Sequence, residues 1–151
     1  GAYRATQGRM SMEPARIFYP MIALAGFTFA VLLLIPFKRF RAAFRGEVRA
    51  KDFRYGESAS VPGPVSIPNR NLMNLLEMPV LFYVVCVALY VTLSVDPIAV
   101  YGAWAYVALR AAHSVVHLTY NNVFHRLGVY AASNLVLFAL WVRWALALAE
   151  G

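Results

Sequence analysis

The sequence is poor in charged residues and contains a single cysteine. Only 14% of its 151 residues are charged, whereas 61% are hydrophobic. This balance argues against a disordered chain and against a nucleic-acid-binding domain, although the net charge is +7. Cys86 lies within an apolar run, so the chain has neither an intramolecular disulfide nor a thiolate metal cluster. The excess of Lys and Arg is typical of the positive-inside bias of a membrane protein.

Long uncharged runs predict four membrane-spanning helices. Residues 17–36 are twenty uncharged residues, enough at 1.5 Å per residue to cross a hydrocarbon core of about 30 Å. Because further apolar runs follow, we interpret this one as a span and not as a signal peptide. The other spans are predicted at residues 78–95, at 98–109 with its continuation, and at 127–142. The expected fold is an all-α integral membrane four-helix bundle, a single domain over residues 17–148.

Prolines and polar residues suggest where the helices begin and continue. The second helix is expected to start just after Pro68 and to be kinked at Pro79. The third helix must continue through Arg110, His113 and His117 to cross the bilayer. Between the first two helices, residues 37–69 are basic at first and then rich in Gly, Ser and Pro, which predicts a surface loop.

The two ends of the chain are expected to lie outside this domain. Residues 1–16 are predicted to be an N-terminal segment, whose first ten residues lack an initiator Met and could be a cloning remnant or a processed start. Residues 149–151 are predicted to be a short tail.

The placement of basic residues predicts the orientation in the membrane. Eight Lys and Arg residues lie between positions 37 and 70, whereas the turn between the second and third spans has none. The positive-inside rule therefore places the long loop on the cytoplasmic side and both termini on the opposite side. Arg4, Arg9 and Arg16, which precede the first span, weaken this bias.

Polar side chains form stripes on three of the predicted helices. An ionisable group at membrane depth costs about 2.5–3.5 kcal/mol on insertion, so such groups usually face the interior of a bundle. Helical spacing places each stripe on one face. The stripes are Arg70, Asn74 and Glu77 on the second helix; Arg110, His113, His117 and Tyr120 on the third; and Arg126 and Tyr130, with Ser133 or Asn134, on the fourth. All three are expected to converge in the cytoplasmic half.

Two interpretations of this convergence remain open. In the first, Glu77 pairs with Arg110, the other polar groups bridge the helices, and nothing binds. In the second, the surplus of arginine over carboxylate is balanced by an anionic ligand. Lys38 and Arg39 in the loop could attract such an anion, or they could simply reflect topology and lipid headgroups.

A metal site is not expected, although His113 and His117 lie one helical turn apart. Two imidazoles at this spacing can chelate a metal, but zinc sites normally recruit a further His or a carboxylate. Arg110 next to them would also repel a cation. We therefore predict neither a metal site nor a haem.

Two segments resemble the membrane-associated proteins in eicosanoid and glutathione metabolism, the MAPEG family. They are RNLMNLLEMP at residues 70–79 and RAAHSVVHLTYNNVFHR at residues 110–126. The basic first loop and the four-span layout agree, so the resemblance covers nearly the whole chain. It implies a homotrimer that holds glutathione, as a co-substrate, between neighbouring subunits near the cytoplasmic face.

The resemblance also implies roles for the polar stripes. Arg126 would lie beside the glutathione thiol as the catalytic residue, and Glu77 would contact the amino group. The other residues expected at the glutathione site are Arg70, Asn74, Arg110, His113, His117, Tyr120 and Tyr130. At His117 relatives carry a tyrosine, and at Leu127 relatives of the prostaglandin-forming type carry a serine.

The function implied is that of a membrane-bound glutathione-dependent transferase or peroxidase acting on a lipophilic small molecule. The departures at His117 and Leu127 favour the alternative, which is a non-catalytic accessory or scaffold subunit of a larger membrane complex.

Overall fold

The computed structural model describes residues 12–150, and within them the chain is helical and contains no strand. A 3-10 turn at Pro14–Ile17 leads into the first helix. The five helical segments are α1 (Phe18–Phe44), α2 (Gly63–Leu76), α3 (Pro79–Val91), α4 (Pro97–Leu118) and α5 (Val123–Glu150). Because α2 and α3 are the two halves of one broken helix, the chain forms the predicted bundle of four helical rods.

Pro79 produces the predicted break between α2 and α3. The last regular residue of α2 is Leu76, and Glu77 has a non-helical ψ of −91°. Proline lacks a backbone N–H and therefore fits the first position of a new helix, which is where Pro79 lies in α3.

The predicted bounds of the loop, residues 37 and 69, are both wrong. α1 continues past Pro36 to Phe44, and α2 begins at Gly63, so that Pro68 lies inside α2. The connection is therefore confined to residues 45–62. A small second core explains the longer helices, because four side chains from α1, the connection and α2 are buried together there. They are Ala42, Val48, Val61 and Val65.

The main core lies between the helices of the bundle and is apolar. Phe82 of α3 stacks on Tyr106 of α4 with ring centroids 4.6 Å apart, and both side chains are fully buried. Cys86 is buried beside them, in agreement with its apolar surroundings in the sequence. α4 and α5 pack on each other more extensively than any other pair of helices.

Three helical stretches are long and apolar enough to cross a membrane, namely Pro14–Phe44, Gly63–Val91 and Val123–Glu150. α4 is about 33 Å long at 1.5 Å per residue and is less apolar, because its second half carries Arg110 and two histidines. Only 17–33% of the most apolar window of each stretch is buried inside the subunit. The remaining apolar surface requires lipid or other subunits around it.

Successive helices run in opposite directions, which gives the bundle two distinct ends. The α1–α2 connection and the α4–α5 turn lie at one end, which we call the loop end. The α3–α4 turn and the far end of α5 lie at the other. The predicted tail at residues 149–151 is wrong in part, because α5 continues to Glu150. Most of the predicted N-terminal segment, including Arg4 and Arg9, lies outside the described residues.

Candidate functional site

A fully buried arginine forms the centre of the polar region near the loop end. Arg110 of α4 is 0% exposed, and its Nη2 donates a 2.5 Å hydrogen bond to the backbone carbonyl of Asn74 in α2. Its guanidinium carbon lies 5.5 Å from the ring centroid of Tyr130 in α5. Its Nε and Nη1 have no hydrogen-bond partner within residues 12–150. Arg110 thus links three helices and keeps donors that an anion could use.

A cavity of about 240 Å³ lies beside this arginine, between α2, α4 and α5. The ring of His113 is buried 5.7 Å from the ring of Tyr130. The lining residues are Asn74, His113, Val123, Arg126, Leu127 and Tyr130. Residues of all three predicted stripes therefore meet at this cavity.

The turn between α4 and α5 holds Arg126 at the cavity. Arg126 Nη1 donates a 2.8 Å hydrogen bond to Oδ1 of Asn121. Asn121 has a positive φ of 49°, and its N–H donates to the carbonyl of Val116 at 2.8 Å. Asparagine tolerates this left-handed conformation better than most residues. A guanidinium has five N–H donors, and this contact uses one of them.

The interpretation in which Glu77 pairs with Arg110 is wrong for the single subunit. Glu77, just after the end of α2, is exposed and forms no ion pair within residues 12–150, and Arg70 of α2 is also exposed. The ion pairs in the described part of the chain are Arg39–Glu57 and Asp96–Arg143. Glu77 and Arg70 therefore lie on the outer surface of the chain and are not part of the lining of the cavity.

Two other predicted residues lie outside the cavity lining. His117 is buried next to His113, with ring centroids 6.0 Å apart. Tyr120 is exposed, and its hydroxyl is 3.0 Å from Nδ1 of His125. α4 ends at Leu118, so Tyr120 no longer follows the helical face of His113. Within residues 12–150, no group of three or more His, Cys, Asp or Glu residues is placed to hold a metal ion.

The polar region contains one buried residue that the sequence reasoning missed. Asn71 of α2 is 0% exposed, and neither of its side-chain amide atoms has a partner among the described residues. An amide buried without partners is costly. The sequence signal was the spacing of Asn71, three residues before Asn74. The stripe that begins at Arg70 does not include Asn71.

The fold and the cavity together define a polytopic all-α membrane protein with a cationic polar site near one end of its bundle. A family model, that of the MAPEG family, matches residues 17–146. The chain therefore belongs to the MAPEG family, which confirms the resemblance noted in the sequence. Comparisons with curated proteins and with solved structures gave no match.

Proposed function

We propose that the protein is a membrane-bound glutathione-dependent transferase or peroxidase. It would activate the glutathione thiol for attack on a lipophilic electrophile or hydroperoxide. The observation that carries this proposal is the cavity shared by Asn74, His113, Arg126 and Tyr130, with the buried Arg110 behind it. Membership of the MAPEG family supports it independently.

The charges at the cavity suit glutathione, which carries two carboxylates and one ammonium group. Arg126 lines the cavity, Arg110 lies next to it, and no carboxylate is part of the lining. A buried cation without a carboxylate partner is stabilised by an incoming anion. Glu77, exposed just after the end of the helix that carries Asn74, remains available for the ammonium group.

Arg126 is the residue that we assign to thiol activation. The reactive form of a thiol is the thiolate, and an adjacent guanidinium stabilises that form. In conjugation, the thiolate sulfur forms a bond to the electrophilic carbon, and the leaving group departs with the electron pair of the broken bond. A lipophilic electrophile that diffuses within the bilayer meets the thiolate at a fixed position, which increases the rate through proximity.

We further propose that the working form is a homotrimer with glutathione bound between neighbouring subunits. Arg70 and Glu77 are exposed in the single chain although the family resemblance assigns both to glutathione binding. A neighbouring subunit would cover them and complete the site. The basic connection lies at the same end as the cavity, which, with the positive-inside rule, supports the proposal that the site is at the cytoplasmic face.

The thiolate absorbance of bound glutathione tests this proposal. Purified protein in detergent is titrated with glutathione near neutral pH, and the ultraviolet difference spectrum is recorded. We expect a saturable thiolate signal that falls at least about tenfold in Arg126→Ala. Arg54→Ala, which removes an exposed arginine from the α1–α2 connection, is the matched control and should keep the signal.

Either of two results would count against the proposal. A full thiolate signal and full turnover in Arg126→Ala would exclude Arg126 as the activating residue. A folded wild-type protein that shows no saturable response to glutathione would instead favour the non-catalytic accessory subunit.

A further inference from the structure

A second cationic cavity lies at the loop end, apart from the cavity described above. Its volume is about 170 Å³, and it lies between the end of α1 and the beginning of α2. We call it the basic pocket, and its lining residues are Phe37, Lys38, Arg41, Ala42, Arg45, Glu47, Pro64 and Val65. It shares no lining residue with the proposed glutathione cavity.

The cations of the basic pocket are not neutralised by the subunit. Lys38 and Arg41 of α1 and Arg45, which caps its end, are spaced i, i+3 and i+7 and therefore lie on one side of the chain. None of the three forms an ion pair within residues 12–150, and Glu47 is the one carboxylate in the lining. The pocket thus has a surplus of two positive charges, three cations against one carboxylate.

Arg39, on the adjacent face of α1, is by contrast neutralised by a carboxylate of the connection, Glu57. Its Nη2 donates a 2.9 Å hydrogen bond to Oε1 of Glu57, and its guanidinium carbon lies 4.5 Å from the ring centroid of Phe53. The connection therefore supplies a partner to the cation on the adjacent face but none to the three cations of the basic pocket.

The depth of the basic pocket matches the headgroup layer of a bilayer. The uncharged run of α1 ends at Phe37, and Lys38 and Arg41 lie about 2 and 6 Å beyond it along the helix axis. Arg45 lies about 12 Å beyond it, and its long side chain can extend back toward the same layer. The headgroup layer on each side of the hydrocarbon core is about 5–8 Å thick. On the adjacent face of the same turns, Phe40 and Phe44 are exposed, 66% and 91% respectively. Exposed aromatic side chains beside cations are typical of a segment that lies in the membrane interface.

We propose that the basic pocket binds the phosphate headgroup of an anionic phospholipid. The guanidinium groups of Arg41 and Arg45 offer charge-assisted donors for the phosphate oxygens. The exposed Phe40 and Phe44 would contact the acyl chains of the same lipid. A free phosphate ion could use the cations but not this apolar surface, and a zwitterionic lipid would bring a positive charge to an already cationic pocket.

Native mass spectrometry of the detergent-solubilised protein tests this assignment. The probes are dioleoylphosphatidylglycerol and dioleoylphosphatidylcholine, which differ in headgroup charge but not in acyl chains. We expect the wild type to retain phosphatidylglycerol preferentially. The double variant Arg41→Gln/Arg45→Gln should lose about fivefold in this preference for each cation removed.

Two further variants separate the pocket from a general effect of charge or folding. Arg49→Gln/Arg54→Gln removes the same charge from exposed positions of the α1–α2 connection outside the pocket, and it should keep the preference. Glu47→Gln removes the carboxylate of the lining and should increase it. This variant keeps the assignment testable even if the double variant in α1 does not fold.

The assignment is overturned if the two double variants lose the preference equally or if Glu47→Gln weakens it. Displacement of phosphatidylglycerol by millimolar inorganic phosphate would also overturn it, because the pocket would then select the free ion. Retention of the lipid in the presence of phosphate supports the assignment.

Discussion

At the scale of single residues, Arg110 is the feature that a structural role explains least well. Its guanidinium is fully buried, yet within residues 12–150 it donates to one backbone carbonyl and pairs with no carboxylate. A buried charge is expensive to desolvate, and apolar residues of similar size often replace buried ions without loss of stability. The position of Arg110 is therefore better explained by a ligand that binds next to it than by the packing of α4.

Arg110→Met separates these two explanations. Without glutathione, we expect the midpoint of thermal unfolding in detergent to stay the same or rise, because the desolvation cost is removed. A ligand present at 100 times its Kd adds about 2.7 kcal/mol of stability, which in the wild type should raise the midpoint by several degrees. In Arg110→Met this rise should disappear, whereas in the exposed-site control Arg54→Met it should remain. A full glutathione-dependent rise in Arg110→Met would contradict the binding role.

At the scale of helices, the packing of α4 on α5 depends on the absence of a side chain at Gly102. A Cβ atom at this position would lie 3.0 Å from Cδ2 of Leu140 in α5, which is tighter than ordinary van der Waals contact. Gly26 in α1 provides the comparison, because a Cβ there would meet nothing within 4 Å.

Valine substitutions at the two glycines measure this close approach. The change in helix propensity is the same at both positions, so the difference between the variants reports packing. We expect Gly102→Val to be less stable than Gly26→Val by about 1–3 kcal/mol, the usual cost of overpacking. Reversible unfolding of both variants in the same detergent gives this difference. Equal stability would mean that the side chain of Leu140 can move aside without cost.

The sequence predicted the presence of the helices better than the residues at which they begin and end. The presence of a helix depends on local signals, whereas its ends depend on contacts between distant residues. Uncharged runs and Pro79 are local signals, and they predicted the three stretches that are apolar enough to cross a membrane and the break between α2 and α3. The extra turns of α1 and α2 depend on the burial of Val48 and Val61 from the connection, which no helical periodicity shows. Tyr120 was misplaced because the argument from helical faces was extended past Leu118, where α4 ends.

The roles predicted for the site residues stay predictions, but the structure shows which of these residues meet at one cavity. Arg126 and Tyr130 lie on one regular helix, so their spacing correctly placed both at one cavity. Glu77 lies at the break between α2 and α3, where the helical rule no longer determines the direction of a side chain. Asn71 was missed because burial without a partner is a property of packing and not of spacing.

At the scale of the whole molecule, the single chain does not bring all residues of the proposed site to one cavity. Glu77 and Arg70 lie on its surface, whereas Arg126 lies at the cavity. Less than half of the most apolar part of each spanning stretch is buried within the chain. The homotrimer that we propose would cover these surfaces, and in it Glu77 of one copy would serve the cavity of the next.

Mixing two inactive variants tests whether neighbouring subunits share the site. One variant is Arg126→Ala, and the other is Arg70→Ala/Glu77→Gln. We expect both pure proteins to lack the glutathione thiolate signal. In randomly mixed cyclic trimers, an intact Arg126 faces an intact Arg70–Glu77 pair in about one quarter of the sites, so co-expression should restore about a quarter of the wild-type signal.

The controls for this mixture follow from the same geometry. Light scattering of the wild type should give the mass of three chains, and mixing the two variants after separate purification, without exchange of subunits, should restore nothing. If co-expressed mixed trimers also remain silent while each variant is folded, the site is built within one chain. Glu77 would then have to turn inward within its own chain to reach glutathione. The break between α2 and α3, where Glu77 lies, is the place at which the backbone would allow this movement.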